Sequence, residues 1–172
     1  MAHKPTRAYF GQKDIQQALI LRRLCKDLLL SHPDPQNLIV VPTARDPTDH
    51  LALSSRNVYL TPEDRKVAGT LNAALRAAES AWTDGLTKGE CLRRALEVVM
   101  TAKTAAAQTG VEITLEYVEM NDPETFDVLD TDASRVHLAH PSDPVILSGA
   151  LRVGKTRLID NFILGDPKHI LN

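Results

Sequence analysis

Apolar residues in the first segment recur at helical spacing. Ala18, Leu21, Cys25 and Leu28 follow Asp14 every three or four positions, which predicts an amphipathic helix within Tyr9 to Leu30. Asp14, shortly after Gly11, suits its N-cap. His32-Pro33-Asp34-Pro35 stops it. Leu38-Ile39-Val40-Val41, closed by Pro42, is apolar without alternation, the pattern of a strand buried on both faces as in a parallel sheet. A helix followed by such a strand reads as the end of an α/β unit. The pattern then breaks over residues 43 to 57, TARDPTDHLALSSRN, a polar loop long enough to be functional or mobile.

Helical periodicity returns at Thr61-Pro62-Glu63-Asp64, a capping threonine with proline at the first position and acids in the first turn. Val67, Leu71, Ala74, Leu75 and Ala78 mark the inward face, and Asp84-Gly85 ends the helix. Thr87 with Glu90 forms a capping box for a third helix, with Leu92, Leu96, Val99 and Met100 inward and Gly110 at its close. Val111, Ile113, Leu115 and Tyr117 then alternate with polar residues, predicting a half-buried strand that turns at Asn121-Asp122-Pro123. Val136 to Ala139 and Val145 to Val153 read as strands, and Gly154-Lys155 as a two-residue hairpin turn before Thr156 to Asp160. The first 45 residues are therefore expected to be α/β, and residues 60 to 172 helices plus an antiparallel sheet.

Composition narrows the function classes. A chain of 172 residues predicts one domain, or one with a small second. Twenty Lys and Arg against 22 Asp and Glu give a net charge of -2, which excludes a globally basic nucleic-acid binder. Aromatic residues are 4% of the chain, too few for a base-stacking platform. Cys25 and Cys91 form no CxxC, so a reducing compartment is expected rather than a disulfide framework. No apolar run approaches the roughly 20 residues that span a bilayer. The stretch from Met1 to Arg7 lacks the apolar core of a secretory signal. The expectation is a soluble cytoplasmic protein that engages neither membrane nor nucleic acid.

Four short patterns could carry chemistry. Gly11-Gln12-Lys13-Asp14 puts a glycine and a lysine at a helix start, where free N–H groups favour an anion; an ordinary capped helix with an exposed lysine is the plain alternative. Ser54-Ser55-Arg56-Asn57 offers two hydroxyls and a guanidinium that could close over a phosphate, or a solvated turn. Gly149 to Thr156 fits G-x-x-x-x-G-K-T, but only 16 residues follow Thr156, too few for the parallel strands such a phosphate loop needs, so a hairpin is the better reading. His137-Leu138-Ala139-His140 is similar to the His-x-x-His element of nucleotidyl-transferring enzymes, but prolines follow it, and on a strand the two rings would face opposite sides. No metal site is expected.

The separated blocks Tyr9 to Gln17, Val41-Pro42-Thr43, Leu51 to Thr61 and Arg157-Leu158-Ile159-Asp160-Asn161 together resemble the pantothenate synthetase (pantoate–β-alanine ligase) family. The resemblance implies condensation of pantoate with β-alanine through a pantoyl adenylate, with ATP and Mg2+. Such a ligase works by charge and positioning, without a covalent nucleophile. It implies catalytic roles for Lys13, Arg56, Ser54 and Ser55, and ATP contacts for Gly11 and for Asp14 on the ribose. It further implies backbone contacts to adenine at Thr43 and Ala44, and a pantoate-binding role for Gln17. The implied fold class is α/β. Residues 4 to 45 would be the end of a Rossmann-like nucleotidyltransferase unit, and 46 to 60 a nucleotide-closing loop or linker. Residues 61 to 172 would be a small α+β C-terminal domain with an antiparallel sheet.

The family's enzymes are longer at the N-terminus, so this chain is expected to match their C-terminal half. Their glycine before the Leu-Ala stretch is His50 here. Expected partners are the small-molecule substrates and a second copy of the chain, in a homo-oligomer such as a dimer, because a lone strand with an open edge invites pairing. The alternative function is a non-catalytic remnant of the family that oligomerises or binds a nucleotide without turnover.

Overall fold

A computed structural model describes residues 4 to 171; residues 1 to 3, part of the stretch read above for a secretory signal, lie outside it. In chain order the elements are β1 (Ala8–Gly11), α1 (Ile15–Asp27), β2 (Leu38–Val41), α2 (Pro62–Val67), α3 (Thr70–Thr83), α4 (Lys88–Ala107), β3 (Ile113–Asn121), β4 (Val145–Val153), β5 (Thr156–Leu164) and α5 (Lys168–Leu171). They gather into two units. One runs to Thr43 and takes in the segment from Asp166 onward; the other runs from Ala44 to Gly165. The residues read in sequence as a linker thus fold with the second unit, and the last helix with the first.

In the first unit β1 and β2 form a parallel pair, with Ala8 opposite Leu38 and Gly11 opposite Val41. The expected strand at Leu38–Val41 therefore has a partner, four residues too short and too mixed to announce themselves by pattern. Ile15, Ala18 and Cys25 bury the inner stripe of α1, while Leu28, expected inward, is 61% exposed just past the helix end. The Arg22 guanidinium donates to the carbonyls of Leu38 and Ile170, both at 2.9 Å, tying α1 to β2 and α5.

The second unit is a three-stranded antiparallel sheet in the order β3-β4-β5, packed against α3 and α4. Gly154 at φ 53° turns β4 into β5, as the sequence predicts. The capping box expected at Thr87 with Glu90 forms, and the capping threonine Thr61 makes a second box with Asp64. The helix expected from Thr61 to Thr83 is broken at Ala68 and Gly69, where a Cβ on Gly69 would approach the Asp49 carbonyl to 3.0 Å. On α4 the buried stripe is Cys91, Ala95, Val99 and Ala106; Leu96 and Met100, expected inward, are exposed. Small residues face the alanines of α3 and let the two helices pack, and that choice sends the long side chains outward. In β3 the register shifts between Leu115 and Tyr117, a bulge that leaves Tyr117 exposed and turns Met120 inward. The strand expected at Val136 to Ala139 is instead a 3-10 turn, Arg135–His137, held by the His137 N–H donating to the Ser134 carbonyl at 2.9 Å.

Candidate functional site

In the first unit, four of the sequence-predicted residues gather at one end of the parallel pair. Gly11 ends β1, a 3-10 turn carries Gln12–Asp14, and α1 begins at Ile15. Opposite Gly11 in register, β2 ends at Val41 and leads through Pro42 to Thr43. Gly11, Lys13, Asp14 and Thr43 thus lie at the carboxyl ends of adjacent parallel strands, where open α/β sheets take their ligands. A Cβ on Gly11 would meet nothing within 4 Å, so its backbone is open to approach. The Asp14 side chain makes no cap bond. The Thr43 hydroxyl is buried without a hydrogen-bond partner, a polar group that a bound molecule could satisfy. Gln17 is exposed in the first turn of α1. These residues fit a phosphorylated nucleotide: an open backbone at a helix start, a lysine beside it, and an unspent hydroxyl.

In the second unit, the segment read as a functional or mobile polar loop is a tied hairpin. Arg45 and Ala52 form an antiparallel bridge, and the Leu53 N–H donates to the Ala44 carbonyl at 2.9 Å, so that carbonyl is already engaged. The Asp46 and Asp49 carboxylates hold the bend by accepting from the backbone N–H groups of Thr48 and Leu51 and from the guanidinium of Arg65 on α2. His50 closes the bend at φ 59°, in the left-handed region. The Ser54 hydroxyl then accepts from the Arg56 N–H at 3.2 Å and caps the 3-10 turn Ser55–Tyr59. Ser54 is therefore committed to its own turn, whereas Ser55 and Arg56 are exposed. Among the described residues no ion pair holds the Arg56 guanidinium.

Sequence reasoning assigned no role to a polar cluster beneath this hairpin. Arg45 pairs with Asp160 on β5 through both guanidinium nitrogens, at 2.5 and 2.9 Å. Asp160 is 4% exposed and also accepts from the Asn161 N–H and from Asn72. Arg45 and Arg76 both lie over the ring of Phe162, with centroid distances of 5.1 and 5.5 Å. Arg45 and Asp160 stand 115 residues apart, so no local pattern could join them. Only the block Arg157 to Asn161 pointed to this stretch.

The remaining patterns are structural. The glycines of the G-x-x-x-x-G-K-T match lie on β4 and at its turn into β5. His137 contacts the Ser134 hydroxyl through Nδ1 at 3.1 Å. A groove of about 850 Å³ lies between α3 and α4, lined by Lys66, Arg94, Glu97 and a run of alanines; it contains none of the expected site residues. Burial pushes the Cys91 thiol up to about 11, so it stays protonated and unreactive near neutral pH. No helix of the described residues is long and apolar enough to cross a membrane.

Comparison with known proteins agrees with the four sequence blocks. The family model for pantoate-beta-alanine ligase matches residues 1 to 163. Pantothenate synthetase of Chloroflexus aggregans is 40% identical over 161 residues, covering 94% of this chain and 51% of the relative. The bifunctional pantoate ligase/cytidylate kinase of Gloeobacter violaceus is 41% identical over 162 residues, 94% of this chain and 27% of that protein. The crystal structure of pantothenate synthetase from Thermus thermophilus superposes with a TM-score of 0.71 at 38% identity, covering 92% of this chain and 49% of that one. The chain spans about half the length of the pantothenate synthetases it matches, their C-terminal half.

Proposed function

Because the chain belongs to the pantoate-beta-alanine ligase family, we propose that it supplies the C-terminal part of an ATP-dependent ligase joining pantoate to β-alanine. In this reading a pantoate carboxylate oxygen attacks the α-phosphorus of ATP, the bond to the bridging oxygen breaks, and pyrophosphate leaves. The β-alanine amine then attacks the acyl carbon of the pantoyl adenylate; AMP leaves with the acyl oxygen, and the amine loses its proton. Lys13 and Arg56 carry the positive charge that meets the phosphates as negative charge develops. Gly11 admits them to the backbone, Asp14 accepts from the ribose, and Thr43 with the Ala44 backbone borders adenine. Ser54 shapes the turn that presents Ser55 and Arg56, and Gln17 donates to pantoate. Mg2+, when bound, would neutralise negative charge on the nucleotide's phosphates alongside Lys13 and Arg56.

One observation carries the reading: the gathering of Gly11, Lys13, Asp14 and Thr43 at the carboxyl ends of β1 and β2. We assign the first unit to the end of a Rossmann-like sheet on the same ground, and the protein to the cytoplasm, where the free thiols of Cys25 and Cys91 would stay reduced. Self-association into a homo-oligomer such as a dimer is part of the proposal, supported by the exposed apolar side chains around α1 and β2. The test is AMP release from the purified chain with ATP, pantoate and β-alanine. It is run alone and with the separately made N-terminal half of the Chloroflexus aggregans relative. AMP release that requires pantoate and falls at least a hundredfold in Lys13→Ala is expected. No AMP in either arm would overturn it in favour of a nucleotide-binding or self-associating module.

A further inference from the structure

We propose that the Arg45–Asp160 pair is a positioning clamp that sets the Ser54–Arg56 turn in place; its bearing on the nucleotide rests on the function proposed above. The argument starts from the cost of the pair. On β5 the positions Leu158, Phe162 and Leu164 face the core, and Asp160 falls on the same alternation. A carboxylate there loses its hydration, and an apolar residue of equal shape would generally serve stability as well or better. What Asp160 gains is one directed partner, the guanidinium of Arg45, gripped at two points and held over the ring of Phe162. Two-point pairing of planar groups fixes orientation as well as distance.

The grip is passed on through contiguous bonds. The backbone of Arg45 bridges Ala52, and its guanidinium reaches the His50 carbonyl at 3.3 Å, so both arms of the hairpin are held from one residue. The Ala52 carbonyl accepts from the Asn57 side-chain amide at 3.2 Å. The Asn57 N–H donates to the Ser54 carbonyl at 3.1 Å, closing the turn on which Arg56 stands. Asp160 thus reaches Arg56 through Arg45, Ala52 and Asn57, without touching it. Arg65, pairing with Asp46 and Asp49, secures the bend from α2 but leaves the arm nearest Ser54 to the clamp.

Two measurements on the whole chain test this. Hydrogen exchange of Asp160→Asn, which keeps shape and removes charge, should accelerate at least tenfold at the amides of Leu53, Arg56 and Asn57, with β4 protection unchanged. Arg45→Lys, which keeps charge and loses the fork, should do the same and serves if Asp160→Asn does not fold. Unchanged exchange in the segment, or acceleration spread equally over β4, overturns the clamp. The second measurement is ATP titration of wild type, Asp160→Asn, Arg56→Ala and the double variant. Asp160→Asn should weaken ATP about tenfold in wild type and not at all beside Arg56→Ala, since a clamp acting through Arg56 has nothing left to position. Equal weakening in both backgrounds would reduce the pair to a stabiliser of the fold and overturn the proposal. Absence of ATP binding by wild type would strike the function proposed above, while the exchange result would still decide the clamp.

Discussion

The two units solve the same problem of covering apolar surface to different degrees. In the second, Leu75, Ile113, Leu147 and Leu151 are completely buried between the antiparallel sheet and its two long helices. In the first, a parallel pair of four-residue strands has few neighbours to cover it, and Tyr9, Ile20, Leu28, Leu29 and Val41 stand exposed. Parallel sheets are ordinarily buried on both faces. The contrast teaches that a sequence can write a strand for full burial, as Leu38–Val41 does, and see only one face of it covered: Leu38 and Val40 are buried, while Val41 stands exposed.

The sharpest way to break the contrast is to truncate one leucine in each unit. Leu151→Ala should cost about 2–5 kcal/mol in urea melts, the usual range for a buried leucine. Leu29→Ala, at a residue 89% exposed, should stay within about 0.5 kcal/mol. Equal losses would mean the two units are equally packed. Hydrogen exchange offers a graded version: amides of β1 and β2 should exchange on a local-opening scale and those of β4 on the global one. Adding the N-terminal half of a relative should slow the first set alone.

Each unit also carries one thiol, Cys25 and Cys91. Native-state alkylation followed by mass spectrometry should label Cys25 first, because Cys91 lies at 0% exposure with its thiol held protonated up to about 11. The same shift makes stability pH-dependent. Above about pH 9 the unfolded thiol ionises while the folded one keeps its proton, so the unfolded state binds fewer protons and stability falls as pH rises toward 11. Cys91→Ala should flatten that alkaline limb.

One substitution should give a gain. His50→Gly removes a side chain from φ 59° and should stabilise the second unit by about 0.5–1 kcal/mol in thermal melts, after the added freedom of the unfolded chain is set against it.

Much of this architecture was legible locally. The helix starts at Thr61 and Thr87, the hairpin at Gly154-Lys155 and the run from Val145 to Val153 follow from residues a few positions apart. What escaped needed a partner from elsewhere. The break at Gly69 is set by the approach of Asp49, the inward face of α4 by the alanines of α3, and the exposure of Tyr117 by a bulge that alternation cannot foresee. The candidate site divides the same way. Gly11 to Asp14 was visible as a glycine and a lysine before a helix. The anchoring of Ser54 to Arg56 was not, because it depends on Arg45 meeting Asp160.

The last helix has a consequence for synthesis. Residues beyond Asp166 pack with the first unit, and Arg22 holds both Leu38 and Ile170. Within this stretch residues 4 to 43 are therefore synthesised well before the segment from Asp166 that completes their unit, and everything from Ala44 to Gly165 leaves the ribosome in between. Cutting the chain after Gly165 would spare the larger unit and leave the smaller one unfinished.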